Sequence, residues 1–392
     1  MKIRKIALWC AMFALAIIAI VSLAAGVKNG MTTLKDFQWL PAKILASGQN
    51  PYLYSLKHLS WQGWPKIDAN QVPSCLLLLY PWTLMSYAMA NSFWALCNLA
   101  FTAIFCLYVF KLFFASDAPL KVKGNYWIVV LLLLSGMPLR MVIGNGQHLL
   151  FSLAFFAPAL YYAMKKRENL AGVLLALCFF KYTSVAPMCL VFVAIGAWRT
   201  IMIGAGLHVA ATVGCGIYLH ENPITLVLQS FEVGAMLLTG AGCTDIVSAL
   251  TRCGCDWASK LSLPMYAIFG VMSLLVAMRN CIGNVLLKLS TLTMLAIVMF
   301  YHRTYDLVAL IIPCIWAMDV LLTNGKRNLA RITALVILVN VAYVFYGLKI
   351  LDVLGVCSLI YQLSVPIMEH VVALFLFVLC VQRPCQELES SH

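Results

Sequence analysis

The sequence predicts an all-α polytopic integral membrane protein, and three observations predict it. Of the 392 residues, 63% are hydrophobic and only 10% charged, whereas about a quarter of the residues of a soluble domain carry charge. Mean hydropathy is +0.92. The apolar residues come in repeated runs of roughly 17 to 25, the length an α-helix needs to cross a hydrocarbon core and longer than a barrel strand. The chain is expected to be a single membrane domain, 1–392, with about twelve crossings and both termini cytoplasmic.

The elements follow in chain order. Met1-Lys2-Ile3-Arg4-Lys5 precedes an apolar run over 6–26. No small-residue cleavage site leads from it into a soluble region, so it is expected to be an uncleaved first span. The first outer loop, about 27–90, carries Lys35-Asp36-Phe37-Gln38 and Gly48-Gln49-Asn50-Pro51-Tyr52. It ends in the apolar run 74–90. Counted as a crossing, that run would put Lys165-Lys166-Arg167 outside, against the tendency of basic clusters to stay cytoplasmic. With Pro73 and Pro81 it is instead expected to be a helix in the outer interface. Further on comes the pair 168–181 and 183–198, of which the first is short and ends in Lys181. A half-membrane helix reaching a polar cavity would explain both features. A second large outer loop covers about 220–262.

Fifteen cysteines are present. Most lie in apolar runs, where a thiol behaves as a small hydrophobe. Cys243, Cys253 and Cys255 sit in the second outer loop, where a disulfide is an open alternative. Their spacing lacks the paired pattern of a structural zinc site, and no metal or other cofactor is expected. The net charge of +13 is spread in short groups between apolar runs. It reads as orientation in a membrane rather than as a nucleic-acid surface.

This threading collects polar groups from distant positions at the outer face: Asp36, Arg140, Gly146-Gln147-His148, Lys181, and Tyr301-His302-Arg303-Thr304-Tyr305-Asp306. A carboxylate placed where a helix leaves the membrane can accept a proton from a substrate hydroxyl. Asp36 is therefore the candidate catalytic base, with a loop aspartate or helix cap as the plainer alternative. Lys181 either snorkels to water, pairs with a carboxylate, or meets an anion such as phosphate. His302 and Arg303 join a group that titrates near neutrality to an anion-binding guanidinium, while Arg303 and Asp306 are also spaced for a local i, i+3 pair. Gln147 and His148, between two glycine-softened helix ends, either line the site or satisfy backbone groups of the turn.

The run Asp36-Phe-Gln-Trp-Leu-Pro-Ala-Lys-Ile-Leu-Ala-Ser-Gly-Gln-Asn-Pro-Tyr52 resembles the opening of polytopic glycosyltransferases of the GT-C fold, specifically glycosyltransferase family 87. Gly146-Gln147, Lys181 with Pro187, and the late His302-Arg303-x-Tyr305-Asp306 are similar to further family landmarks, in the family's order. Where family members carry a double proline, this chain has Pro73-Ser74. The resemblance implies a GT-C-like fold and transfer of a hexose or pentose, mannose foremost, from a polyprenyl-phosphate donor. The implied acceptor is a glycolipid or glycan outside a cytoplasmic membrane of bacterial type. It implies inversion at the anomeric carbon with Asp36 as base. Lys181, Arg303 and Arg140 would hold the donor phosphate, among substrate-binding residues that include Gln147, His148, Tyr301, His302 and Asp306. A transporter or flippase of similar span number is the competing class, and a noncatalytic scaffold a third. Inverted repeats, which many transporters carry, are not visible in the sequence.

Overall fold

In a computed structural model, residues 2–32, 36–64, 67–115, 123–236, 246–252, 254–279, 285–299, 302–324 and 357–382 are described. About 85% of them are helical and none forms a strand. Tyr301, Cys243 and Cys253 lie outside the described residues. The helices are α1 (Lys2–Thr32), α2 (Trp39–Ala46), α3 (Pro51–Leu56), α4 (Pro73–Leu78), α5 (Tyr80–Thr83), α6 (Tyr87–Ala115), α7 (Lys123–Ser135), α8 (Met137–Asn145) and α9 (Leu149–Met164). They continue with α10 (Glu168–Cys178), α11 (Tyr182–Ala194), α12 (Trp198–Leu219), α13 (Pro223–Met236), α14 (Ile246–Arg252), α15 (Ser262–Met278), α16 (Val285–Met299), α17 (Ile311–Asn324) and α18 (Cys357–Gln382).

Four of the described helical stretches are long and apolar enough to cross a membrane: Met12–Thr32, Tyr87–Phe113, Glu168–Ala194 and Trp198–Leu219. Five more apolar helices are shorter, at 10–17 residues. By length alone, the expected count of about twelve is therefore not confirmed among the described residues. The run 74–90 is not one helix. It breaks into α4, α5 and the start of α6, and neither six nor four residues can cross a bilayer. The indole of Trp39 donates to Trp82 O at 2.9 Å and the ammonium of Lys43 to Thr83 O at 2.7 Å, tying this segment to α2.

The Gly48 to Tyr52 motif is a piece of folding chemistry. Gly48 takes φ +77°, which ends α2. Asn50 Oδ1 accepts from the amides of Tyr52 and Leu53 as an N-cap, and Pro51 occupies the first turn of α3, where no amide donor is needed. Tyr52 is fully buried and its hydroxyl donates to Gln71 O at 2.7 Å.

Glu168–Ala194 has the residue count of a span, yet it folds back. A one-turn 3₁₀ segment, Phe179–Lys181, separates α10 from α11. The Thr200 hydroxyl donates to Glu168 O, and a Cβ on Gly172 would stand 2.6 Å from Ile203 Cβ. The start of α12 therefore lies beside the start of α10. Since α12 begins only four residues after α11 ends, α11 must return to the level where α10 began. Lys181 stands at the apex of this helical hairpin.

Candidate active site

The site forms where the end of α1, the α8–α9 turn, the hairpin apex and the segment before α17 meet. Small residues bring the first two together. A Cβ on Gly26 would lie 3.2 Å from Arg140 O, and one on Gly30 only 2.9 Å from Ile143 O, so α1 and α8 touch backbone to backbone. Just beyond, the Asp36 amide donates to Asn145 O at 3.0 Å. That bond fixes the half-buried Asp36 at the C-terminal end of α8. Arg140 lies on α8 itself and is half-buried.

Gly146 closes α8 with φ +68°, and its carbonyl accepts from the Trp94 indole at 3.1 Å. Gln147 is buried and its amide donates to Val142 O. His148 is fully enclosed by aromatic rings: Phe180 stacks on it at 4.2 Å, with Trp94 at 5.3 Å and Phe37 at 6.2 Å. Its Nε2 has no hydrogen-bond partner among the described residues. Burial, and then the nearby charge of Lys181, push the imidazole pKa down to about 3.

Lys181 is held through its main chain, whose amide donates to the Ser152 hydroxyl at 2.8 Å. Its ammonium lies 3.7 Å from Asp306 Oδ1 and 5.4 Å from the centre of the Tyr305 ring. Asp306 also accepts from the Arg303 amide at 3.0 Å and donates its own amide to Arg303 O at 2.8 Å. The expected local pairing of Arg303 and Asp306 thus runs through the Arg303 backbone, while the carboxylate reaches across to Lys181. The buried Tyr305 phenol stands within the fields of Lys181, Asp306, Asp36 and Arg303. Two carboxylates and two cations from three parts of the chain act on it.

His302 turns to the last helix, with its Nε2 3.2 Å from Glu369 Oε2. Sequence reasoning did not single out Glu369, Ser152 or Phe180. Of these, Glu369 had a legible signal, a lone carboxylate in an apolar run. No group of three or more His, Cys, Asp or Glu among the described residues is arranged to hold a metal ion.

Beside the apex, α10 to α13 enclose a groove of about 740 Å³. Its wall is almost wholly apolar, with Phe179, Leu190, Val213 and Phe231 among its residues and Tyr182, next to Lys181, at one side. Its polar features include a Ser74 hydroxyl 2.8 Å from His208 Nδ1.

An apolar helical fold whose charges are gathered around one buried phenol, with an apolar groove alongside, belongs to a membrane protein built around a polar site. The family model of glycosyltransferase family 87 matches residues 72–345, and the chain belongs to that family: it is a membrane glycosyltransferase. Arg140, Gln147, His148, Lys181, His302, Arg303 and Asp306 fall inside the matched residues, whereas Asp36 and Glu369 fall outside. No curated protein and no solved structure matches the chain.

Proposed function

We propose that this glycosyltransferase moves one sugar, a hexose or pentose with mannose foremost, from a polyprenyl-phosphate donor to a glycolipid or glycan hydroxyl at the outer face of a cell membrane. The acceptor oxygen attacks the anomeric carbon as the bond to the phosphate oxygen breaks on the opposite face, which inverts the centre. The hydroxyl proton goes to Asp36, and polyprenyl phosphate leaves. Lys181 and Arg303, with Arg140 along α8, meet the charge that develops on the departing phosphate.

The observation that carries this reading is the convergence of Asp36, Lys181, Arg303 and Asp306 around Tyr305. A base and anion-binding groups from three separated segments serve a group transfer better than a structural ion pair, which needs only two partners. At 3.7 Å, with no hydrogen bond to Asp306 Oδ1 among the described residues, the Lys181–Asp306 pair is loose enough to open for a phosphate. The adjoining apolar groove suits the chain of a lipid-borne phosphate.

The test is incubation of purified protein with radiolabelled polyprenyl-phosphate mannose and candidate acceptors, followed by the same assay on Asp36→Asn. Asparagine keeps the size of the side chain and cannot take the proton, so turnover should fall about 10²-fold or more while donor binding persists. Asp68→Asn, in the same outer loop, should stay near wild type. Near-normal transfer by well-folded Asp36→Asn would remove Asp36 from the base role.

A further inference from the structure

Helix α18 carries one carboxylate in 26 residues, Glu369. An ionisable group in an apolar helix is costly to bury, and such residues persist where they are paired and serve a site. Glu369 and its partner His302 are 1% and 4% exposed, with Oε2 and Nε2 3.2 Å apart. The adjacent His370 ring packs against Phe269 of α15, 5.6 Å away, so the two neighbours on α18 engage different elements. His302 opens the short segment that continues through Arg303 and Tyr305 to Asp306, whose carboxylate lies against Lys181 at the hairpin apex. That segment is therefore held from two sides: by Asp306 toward α10 and α11, and by His302 toward α18.

We propose that Glu369 is a positioning residue of the transfer site. It fixes the orientation and tautomer of His302 and thereby seats the segment that carries Arg303, Tyr305 and Asp306. A carboxylate has no proton to give, and at 3.2 Å a bare Nε2 would set lone pair against lone pair, so the proton sits on Nε2, although the contact is not aligned as a hydrogen bond. The neutral ring is then confined to the tautomer whose Nδ1 is the acceptor. Glutamine at this position has both an acceptor oxygen and a donor amide, and so allows either tautomer. The kinetic side of the proposal rests on the transferase reading above; the coupling of Glu369 to His302 does not.

The experiment is nitrogen-15 histidine spectroscopy of the full chain, with the His302 signal assigned from its loss in His302→Asn, alongside donor kinetics of Glu369→Gln. The wild-type His302 signal should show a protonated Nε2 and a bare Nδ1, and Glu369→Gln should change it. The same variant should lose turnover by about 10- to 100-fold, the loss typical for a group that orients a functional histidine, with the donor KM moving less than about threefold. Combined with His302→Asn, it should add little further loss. A His302 spectrum unchanged by Glu369→Gln overturns the proposal, and so does an altered spectrum with full turnover. If Glu369→Gln does not fold, Glu369→Asp keeps the carboxylate on a shorter arm and should retain the wild-type tautomer with partial turnover; a switched tautomer there overturns the proposal equally. Should the wild type transfer no sugar from any donor, the transferase reading fails while the spectra still decide whether Glu369 governs His302.

Discussion

At Asp36 the position of the side chain is decided by a neighbour, because the amide bond to Asn145 O pins the backbone where α1 meets α8. The sequence made Asp36 visible as a carboxylate just past an apolar run, and Lys181 as a cation at the end of one. What it could not show was that Asp306 reaches Lys181, since the spacing of Arg303 and Asp306 suggested a pair closed within one turn. Side-chain contacts between distant segments have no local period; Glu369 was legible as a lone carboxylate in an apolar run, but its partner was not. His148 supports a prediction of its own. Its pKa falls from the usual 6.5 to about 3 on folding, so between these values the unfolded chain binds a proton that the folded chain does not. Stability should therefore decline as pH falls from about 6.5 toward 3, at up to about 1.4 kcal/mol per pH unit. His148→Asn should flatten that part of the profile in thermal unfolding of detergent-solubilised protein. An acid-side slope identical in the two proteins would show that His148 is not the group responsible.

The helices themselves were largely legible from apolar runs, because a backbone in a hydrocarbon core must satisfy its own hydrogen bonds and a helix does so. Less legible was how they pack. The approach of α1 to α8 depends on Gly26 and Gly30, four residues apart on one face; Gly26 ends the first apolar run and Gly30 lies in what reads as the first outer loop, although α1 extends through both. The segment 74–90 was recognised as unable to join the count of crossings, but its division into α4, α5 and the start of α6 follows from tertiary bonds, among them those from Trp39 and Lys43. Packing of α1 on α8 also gives the element its test. A methyl on Gly30 would stand 2.9 Å from Ile143 O and 3.0 Å from Ala95 Cβ, so Gly30→Ala must push α1 off α8 and strain the Asp36 to Asn145 bond. Overpacking of this kind costs about 1–3 kcal/mol. The variant should melt earlier and lose transfer activity out of proportion to that loss. Gly206→Ala, with nothing within 4 Å of its Cβ position, should do neither. Equal behaviour of the two variants would refute close α1–α8 packing as the device that seats Asp36.

On the scale of the molecule, the fold-back of α10 and α11 decides where the site lies. Lys181 is at the hairpin apex, level with Ser152 near the start of α9, and therefore close to the α8–α9 turn rather than at the far end of the bundle beside Lys165-Lys166-Arg167. A straight 27-residue helix over Glu168–Ala194 would be about 40 Å long at 1.5 Å per residue. It would carry the end of α11 far from Glu168, whereas the Thr200 hydroxyl meets Glu168 O and Ile203 packs on Gly172. The two arrangements differ in what each side of a membrane can reach. Lys165 and Arg199 are both exposed and flank the α10–α11 unit, and His220 is exposed at the other end of α12. With the hairpin, single cysteines at 165 and 199 are labelled by an impermeant maleimide from the same side, the cytoplasmic side by the basic-cluster rule, and a cysteine at 220 from the opposite side. With a straight span, 165 and 199 report opposite sides. Labelling of Lys165→Cys and Arg199→Cys from opposite faces in intact cells would undo the hairpin, and with it the apex that brings Lys181 to Asp306.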